Sequence, residues 1–220
     1  MQKYLLQHYK LFIFLLIVMH IAGIIGLHWQ VSFPYFQYLI GFNLILTNII
    51  LFSFHIHIEK KFIIASLLIA LGGFLIEVLG VHTGIIFGKY QYEWALGIKI
   101  AEVPLLIGLN WVMLIYCSAH IADFLIKNND SIFLKSCVVA TLMTFLDYFI
   151  EPFAIHFHLW QWEKNIIPVQ NFMGWWFSAL LLSFIFFHIH LKRKNYLAIP
   201  LYFIQLSFFF INYFIILYLK

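Results

Sequence analysis

Residues 62–82 read FIIASLLIALGGFLIEVLGVH, a run long enough to cross a lipid bilayer and carrying one carboxylate, Glu77. That run decides the class. The chain of 220 residues is 64% hydrophobic and 10% charged, with 26 Phe. A soluble domain carries charge at about a quarter of its positions, so this chain lacks the charge to cover a surface in water. Six further runs satisfy the same length test, which predicts an all-α membrane bundle of seven spans in a single domain over 1–220. The expected spans are 9–27, 35–57, 62–82, 98–124, 132–155, 170–191 and 197–218. The first begins with Lys3 and Lys10, but no small-residue cleavage site follows it, so it is expected to be a retained helix. Cys117 and Cys137 both fall in apolar runs and imply no disulfide framework.

The basic residues suggest an orientation. With the N-terminus cytoplasmic, Lys3, Lys10, Lys60, Lys61, Lys127, Lys135, Lys192, Arg193 and Lys194 share one side. Lys89, Lys99, Lys164 and Lys220 share the other. Positive charge favours the cytoplasmic side, which predicts N-terminus in and C-terminus out in the cell membrane. The net charge of +4 is then an orientation signal, and no nucleic-acid partner is expected.

Four of the nine acidic residues fall within the expected spans away from their cytoplasmic ends: Glu77, Glu102, Asp147 and Glu151. At about 1.5 Å per residue they sit roughly 8, 6, 12 and 6 Å from the non-cytoplasmic helix ends, all in one leaflet. Asp147 and Glu151 share a helix face. Asn110 lies about 80° round from Glu102 and 12 Å deeper, where it can line the same cavity. Gln170, Asn171, Trp175 and Trp176 reach that level from the sixth span. Ionisable groups inside spans generally face the bundle interior or a wet cavity. Polar residues can also serve only to hold helices together, but Ser, Thr or Asn would do that at lower cost.

The connectors above these acids, about 83–97 and 156–169, are dense in Trp, Tyr and Gly. An aromatic belt at the headgroups accounts for the rings but not for the glycines, which indicate tight turns or close backbone approach. A carboxyl walled by apolar groups can act as an acid near neutral pH. Paired with a base and aromatic faces, it suits protonation of an unactivated alkene and capture of the cation by water. That chemistry needs no metal or redox cofactor.

The linked pieces FGxYxY (87–92), VPxxxxxxW (103–111), LDYFIEP (146–152) and IPxxNFxGW (167–175) resemble the membrane carotenoid hydratases over about residues 72–180. The resemblance implies water addition to the terminal double bond of an acyclic (ψ) end group of lycopene, γ-carotene or bisanhydrobacterioruberin, without a cofactor. It touches Glu77, Gly84, Phe87, Gly88, Tyr90, Tyr92, Pro104, Trp111 and Asp147, then Trp160, Trp162, Pro168, Asn171, Gly174 and Trp175. The expected catalytic set is Asp147 or Glu77 as proton donor, with Glu151 or Glu102 orienting or activating water. Tyr90, Tyr92, Asn110, Trp111, Trp160, Trp162, Asn171 and Trp175 are expected to contact a polyene arriving from the lipid phase.

Three His-x-His pairs, His55/His57, His156/His158 and His188/His190, hold their members about 200° apart on a helix, so no pair alone makes a metal face. A site assembled from several helices, for haem or iron, is the oxidoreductase alternative; a transporter or non-catalytic isoprenoid-binding scaffold is the other. A retinal protein would need a lysine within the last span, and 197–218 has none.

Overall fold

A computed structural model describes residues 6–56, 58–127 and 131–218. Seven long helices run in order: α1 (Tyr9–His28), α2 (Phe33–Ser53), α3 (Lys60–Thr83), α4 (Leu106–Leu125), α5 (Ile132–His156), α6 (Val169–His188) and α7 (Ala198–Tyr218). Each is long and apolar enough to cross a membrane, and the chain is a multi-pass membrane protein by that measure. Lys3, His57 and Lys220, which figure in the sequence reading, lie outside the described residues.

The helix α4 is the central pillar. Every side chain from Trp111 to Ala122 is buried, whereas the other six helices turn broad apolar faces outward. Close approach depends on small residues: a Cβ on Gly108 would strike the backbone of Ala70 in α3.

Five spans match their helices within three residues at each end, and two need correction. The second span ends at Ser53 rather than 57, because the chain turns so that His55 Nδ1 lies 2.6 Å from the Tyr116 hydroxyl. The fourth begins at Leu106 rather than 98. Residues 99–104 instead form a small hairpin, β2 (Lys99–Ile100) with β3 (Val103–Pro104), turning through Ala101 and Glu102 at φ 49° and 64°. Hydropathy cannot register two consecutive left-handed residues in an apolar run.

The two aromatic connectors are joined. Strand β1 (Tyr90–Tyr92) pairs antiparallel with β4 (Trp160–Trp162), in the register Tyr90 opposite Trp162 and Tyr92 opposite Trp160. Alternation along a strand sends the four aromatic rings to one face and Gln91 and Gln161 to the other. The result is a two-stranded lid across one end of the bundle. Its approach is set by Gly84, which caps α3 in the left-handed conformation, its N–H donating to Gly80 O at 2.8 Å.

Candidate active site

Below the lid, α5 presents Asp147 and Glu151 one turn apart, and α3 presents Glu77; all three are buried. Their surroundings are built from donors. Glu77 Oε2 accepts from the hydroxyls of Tyr90 at 2.5 Å and Tyr92 at 2.9 Å, and its Oε1 accepts from the Trp111 indole at 3.2 Å. Glu151 Oε2 accepts from the indoles of Trp162 at 2.7 Å and Trp160 at 3.1 Å. The lid therefore serves both acids: the strand-β1 tyrosines hold Glu77 and the strand-β4 tryptophans hold Glu151.

Asn171, in the first turn of α6, links the two acids of α5. Its amide nitrogen donates to Asp147 Oδ2 and to Glu151 Oε1, each at 2.9 Å. Asp147 Oδ1 is buried with no hydrogen-bond partner among the described residues. None of the three carboxyls forms an ion pair with Lys, Arg or His among the described residues. An ionised carboxyl group offers about four acceptor sites. By that count Glu77 and Glu151 each have one site open, and Asp147 has most of its capacity unused.

Aromatic packing fixes this geometry. The Trp111 and Trp175 rings stack at 4.7 Å, 14° from parallel. Trp111 fits because Gly73 faces it; a Cβ there would overlap the indole. Gly174 admits the backbone of Ile86 and the Phe87 ring in the same way. Burial first, and the Glu77 carboxyl next, push the phenols of Tyr90 and Tyr92 well above the ordinary tyrosine range. Both remain neutral donors at physiological pH. The enclosed space is small, about 20 Å³, lined by Glu77, Glu151 and Asn171 among aromatic rings.

Of the expected residues, Glu77, Glu151, Tyr90, Tyr92, Trp160, Trp162, Asn171 and Trp175 line this chamber, and Asp147 and Trp111 stand directly behind it, bonded to Asn171 and Glu77. Two expected residues lie elsewhere. Glu102 sits exposed at the β2–β3 turn, outside α4. Asn110 follows a different face of α4 from Trp111 and lines a second, larger cavity of about 300 Å³, together with His20, Asn43 and Gln205. Those last three were not singled out by the sequence, since a lone polar residue in a span carries no pattern. Of the helix-6 residues expected at this level, Gln170 donates to the carbonyls of Gly84 and Ile85, and Trp176 to Thr141 Oγ1, so both brace the periphery.

Among the described residues, no histidine lines the chamber. His158 Nδ1 lies 2.9 Å from Glu93, and the Nδ1 atoms of His188 and His190 contact backbone carbonyls. Among the described residues, no group of three or more His, Cys, Asp or Glu side chains is arranged to hold a metal ion.

A bisanhydrobacterioruberin hydratase from Haloarcula japonica is 26% identical over 147 residues, covering 62% of this chain and 50% of that protein. The chain thus spans half of that relative's length. No solved structure matches. The family described as carotenoid biosynthesis protein matches residues 35–219, across α2 to α7 and both halves of the lid, and this chain belongs to it.

Proposed function

We propose that this protein is a carotenoid hydratase that adds water to the terminal double bond of an acyclic (ψ) end group and yields a tertiary alcohol. Family membership supports action on a carotenoid, and the hydratase relative supports the reaction class. The observation that carries the reading is the chamber itself: three buried carboxyls, held by neutral donors and walled by aromatic rings.

Asp147 is the proton donor, because its Oδ1 has no competing partner. Its proton passes to the less substituted alkene carbon, leaving a tertiary cation against the aromatic faces. Water forms the new C–O bond and gives a proton to the open site on Glu151. That proton returns to Asp147 one turn away, and the net change is one water consumed. Glu77 stabilises the cation by charge while Tyr90, Tyr92 and Trp111 hold it in place. The lysine and arginine distribution supports a non-cytoplasmic lid in the cell membrane.

A carotenoid-binding or transport protein is the second reading, favoured by the larger cavity. Expression in a lycopene-accumulating host grown in ¹⁸O-water separates the two. The hydratase gives pigments heavier by one or two waters carrying the label, and Asp147→Asn does not. Unchanged lycopene in the presence of folded protein refutes the proposal.

A further inference from the structure

The larger cavity lies between α1, α2, α4, α5 and α7 and is mainly apolar. Along α2 its lining runs from Phe36 to Leu46, about 15 Å of helix. Against those walls stand four polar side chains, His20, Asn43, Asn110 and Gln205.

These four share one level. Gly26 faces Phe36 across the α1–α2 turn, so six residues back along α1, His20 falls beside residue 42. Helices α2 and α4 run parallel, with Gly41 facing Leu106 and Asn48 bonded to Met113. The same offset sets Asn110 within about 3 Å of the height of Asn43. Gln205 Nε2 meets His20 Nε2 at 3.2 Å, while His20 Nδ1 meets Leu16 O at 2.7 Å.

Several other polar residues in the spans are bonded within the protein. Asn48 donates to Leu44 O and Met113, and Asn212 donates to Phe208 O and accepts from His28 Nε2 at its Oδ1. Asn43 and Asn110 differ: their side chains make no hydrogen bond among the described residues, yet they line the same cavity. A hydrocarbon occupant would leave both amides unsatisfied in an apolar setting, which is unfavourable.

We propose that this cavity binds an acyclic isoprenoid chain bearing a neutral hydroxyl near its end, the chain lying along α2 and the hydroxyl held by Asn43 and Asn110. The identity of the chain rests on the hydratase reading; the preference for a hydroxyl rests on the amides. Trp160 lines both this cavity and the carboxyl chamber, and Asn110 is the neighbour of Trp111 on α4. A hydroxyl formed in the chamber therefore reaches the amides by crossing one indole.

The test is equilibrium binding to purified protein in lipid nanodiscs, followed by quenching of tryptophan fluorescence. The probes are lycopene and its 1-hydroxy-1,2-dihydro derivative. The hydroxylated chain should bind about tenfold more tightly, the equivalent of one or two net hydrogen bonds. Asn43→Leu with Asn110→Leu should abolish that preference and retain lycopene binding; Asn110→Ser, which keeps a hydrogen-bonding group, should preserve it. If the double variant does not fold, Asn110→Leu alone should reduce the preference about threefold. Equal affinity of the two pigments for the native protein overturns the proposal, as does a preference unchanged by Asn110→Leu. Pigment extracted after binding reports turnover separately, so a protein that prefers the alcohol without forming it would refute the hydratase reading alone.

Discussion

Replacing Asn171 with Leu removes both N–H donors from between Asp147 and Glu151 while keeping side-chain volume close to native. Two bonds of 2.9 Å are lost. Asp147 then has no partner on either oxygen, whereas Glu151 keeps its two indole bonds on Oε2. The bond to ionised Glu151 contributes about 1.5–3 kcal/mol and the bond to protonated Asp147 about 0.5–1.5 kcal/mol. If half of the combined contribution is specific to the reacting geometry, the barrier rises by about 1–2.2 kcal/mol, or roughly 5- to 40-fold in rate. The assay is hydroxylated pigment per unit of folded protein in lycopene-accumulating cells, with protein quantified by a fluorescent tag. Asn171→Asp, which replaces the donor by a fourth acid, should be at least as damaging. A native rate in folded Asn171→Leu would refute the role of this amide in setting the acid pair.

Glu151→Gln should reduce hydration by about 10²–10⁴-fold, as expected for loss of a general base, whereas Glu102→Gln should stay within about twofold; pigment analysis of both variants checks the separation. Gly73→Ala should drive Trp111 from its stack with Trp175 and its bond to Glu77, lowering activity about tenfold and changing the near-UV circular dichroism. Raised phenol values in Tyr90 and Tyr92 make their contribution to stability complete below the ordinary tyrosine value near 10. Stability should fall as pH climbs above about 10 toward the folded-state values, and Tyr90→Phe with Tyr92→Phe should flatten that decline; thermal melts from pH 8 to 12 measure both slopes.

The acid pair on α5 was legible because a four-residue spacing fixes a common helix face whatever the helix packs against. Glu77 was legible because a carboxylate deep in an apolar run has few acceptable destinations. Glu102 was misplaced for the opposite reason: residues 98–105 are apolar enough to extend a span, and nothing in their hydropathy reveals the left-handed turn at Ala101 and Glu102. Asn110 inherited that error, since its direction was reckoned from Glu102 on a helix that had not yet begun. The lid had a period-two signal in YQY and WQW, but strand pairing joins segments about 70 residues apart, and register at that distance is set by the helices beneath. An aromatic belt would leave the lid tryptophans outward; Trp160 and Trp162 are buried, whereas Trp29 and Trp94 are exposed in the manner a belt requires.

The choice of donors around the acids bears on why a cation could form there. Tyr90, Tyr92, Trp111, Trp160, Trp162 and Asn171 orient carboxyl oxygens without supplying positive charge. A lysine or arginine in any of these places would satisfy the same oxygens more strongly, but it would also neutralise their field. The electrostatic position opposite the carboxyls is thus left to the substrate. On the proposed reaction it is filled only when the alkene takes its proton, so the stabilisation is greater for the cation than for the neutral polyene. Selective stabilisation of that kind accelerates a reaction, whereas equal binding of both states does not.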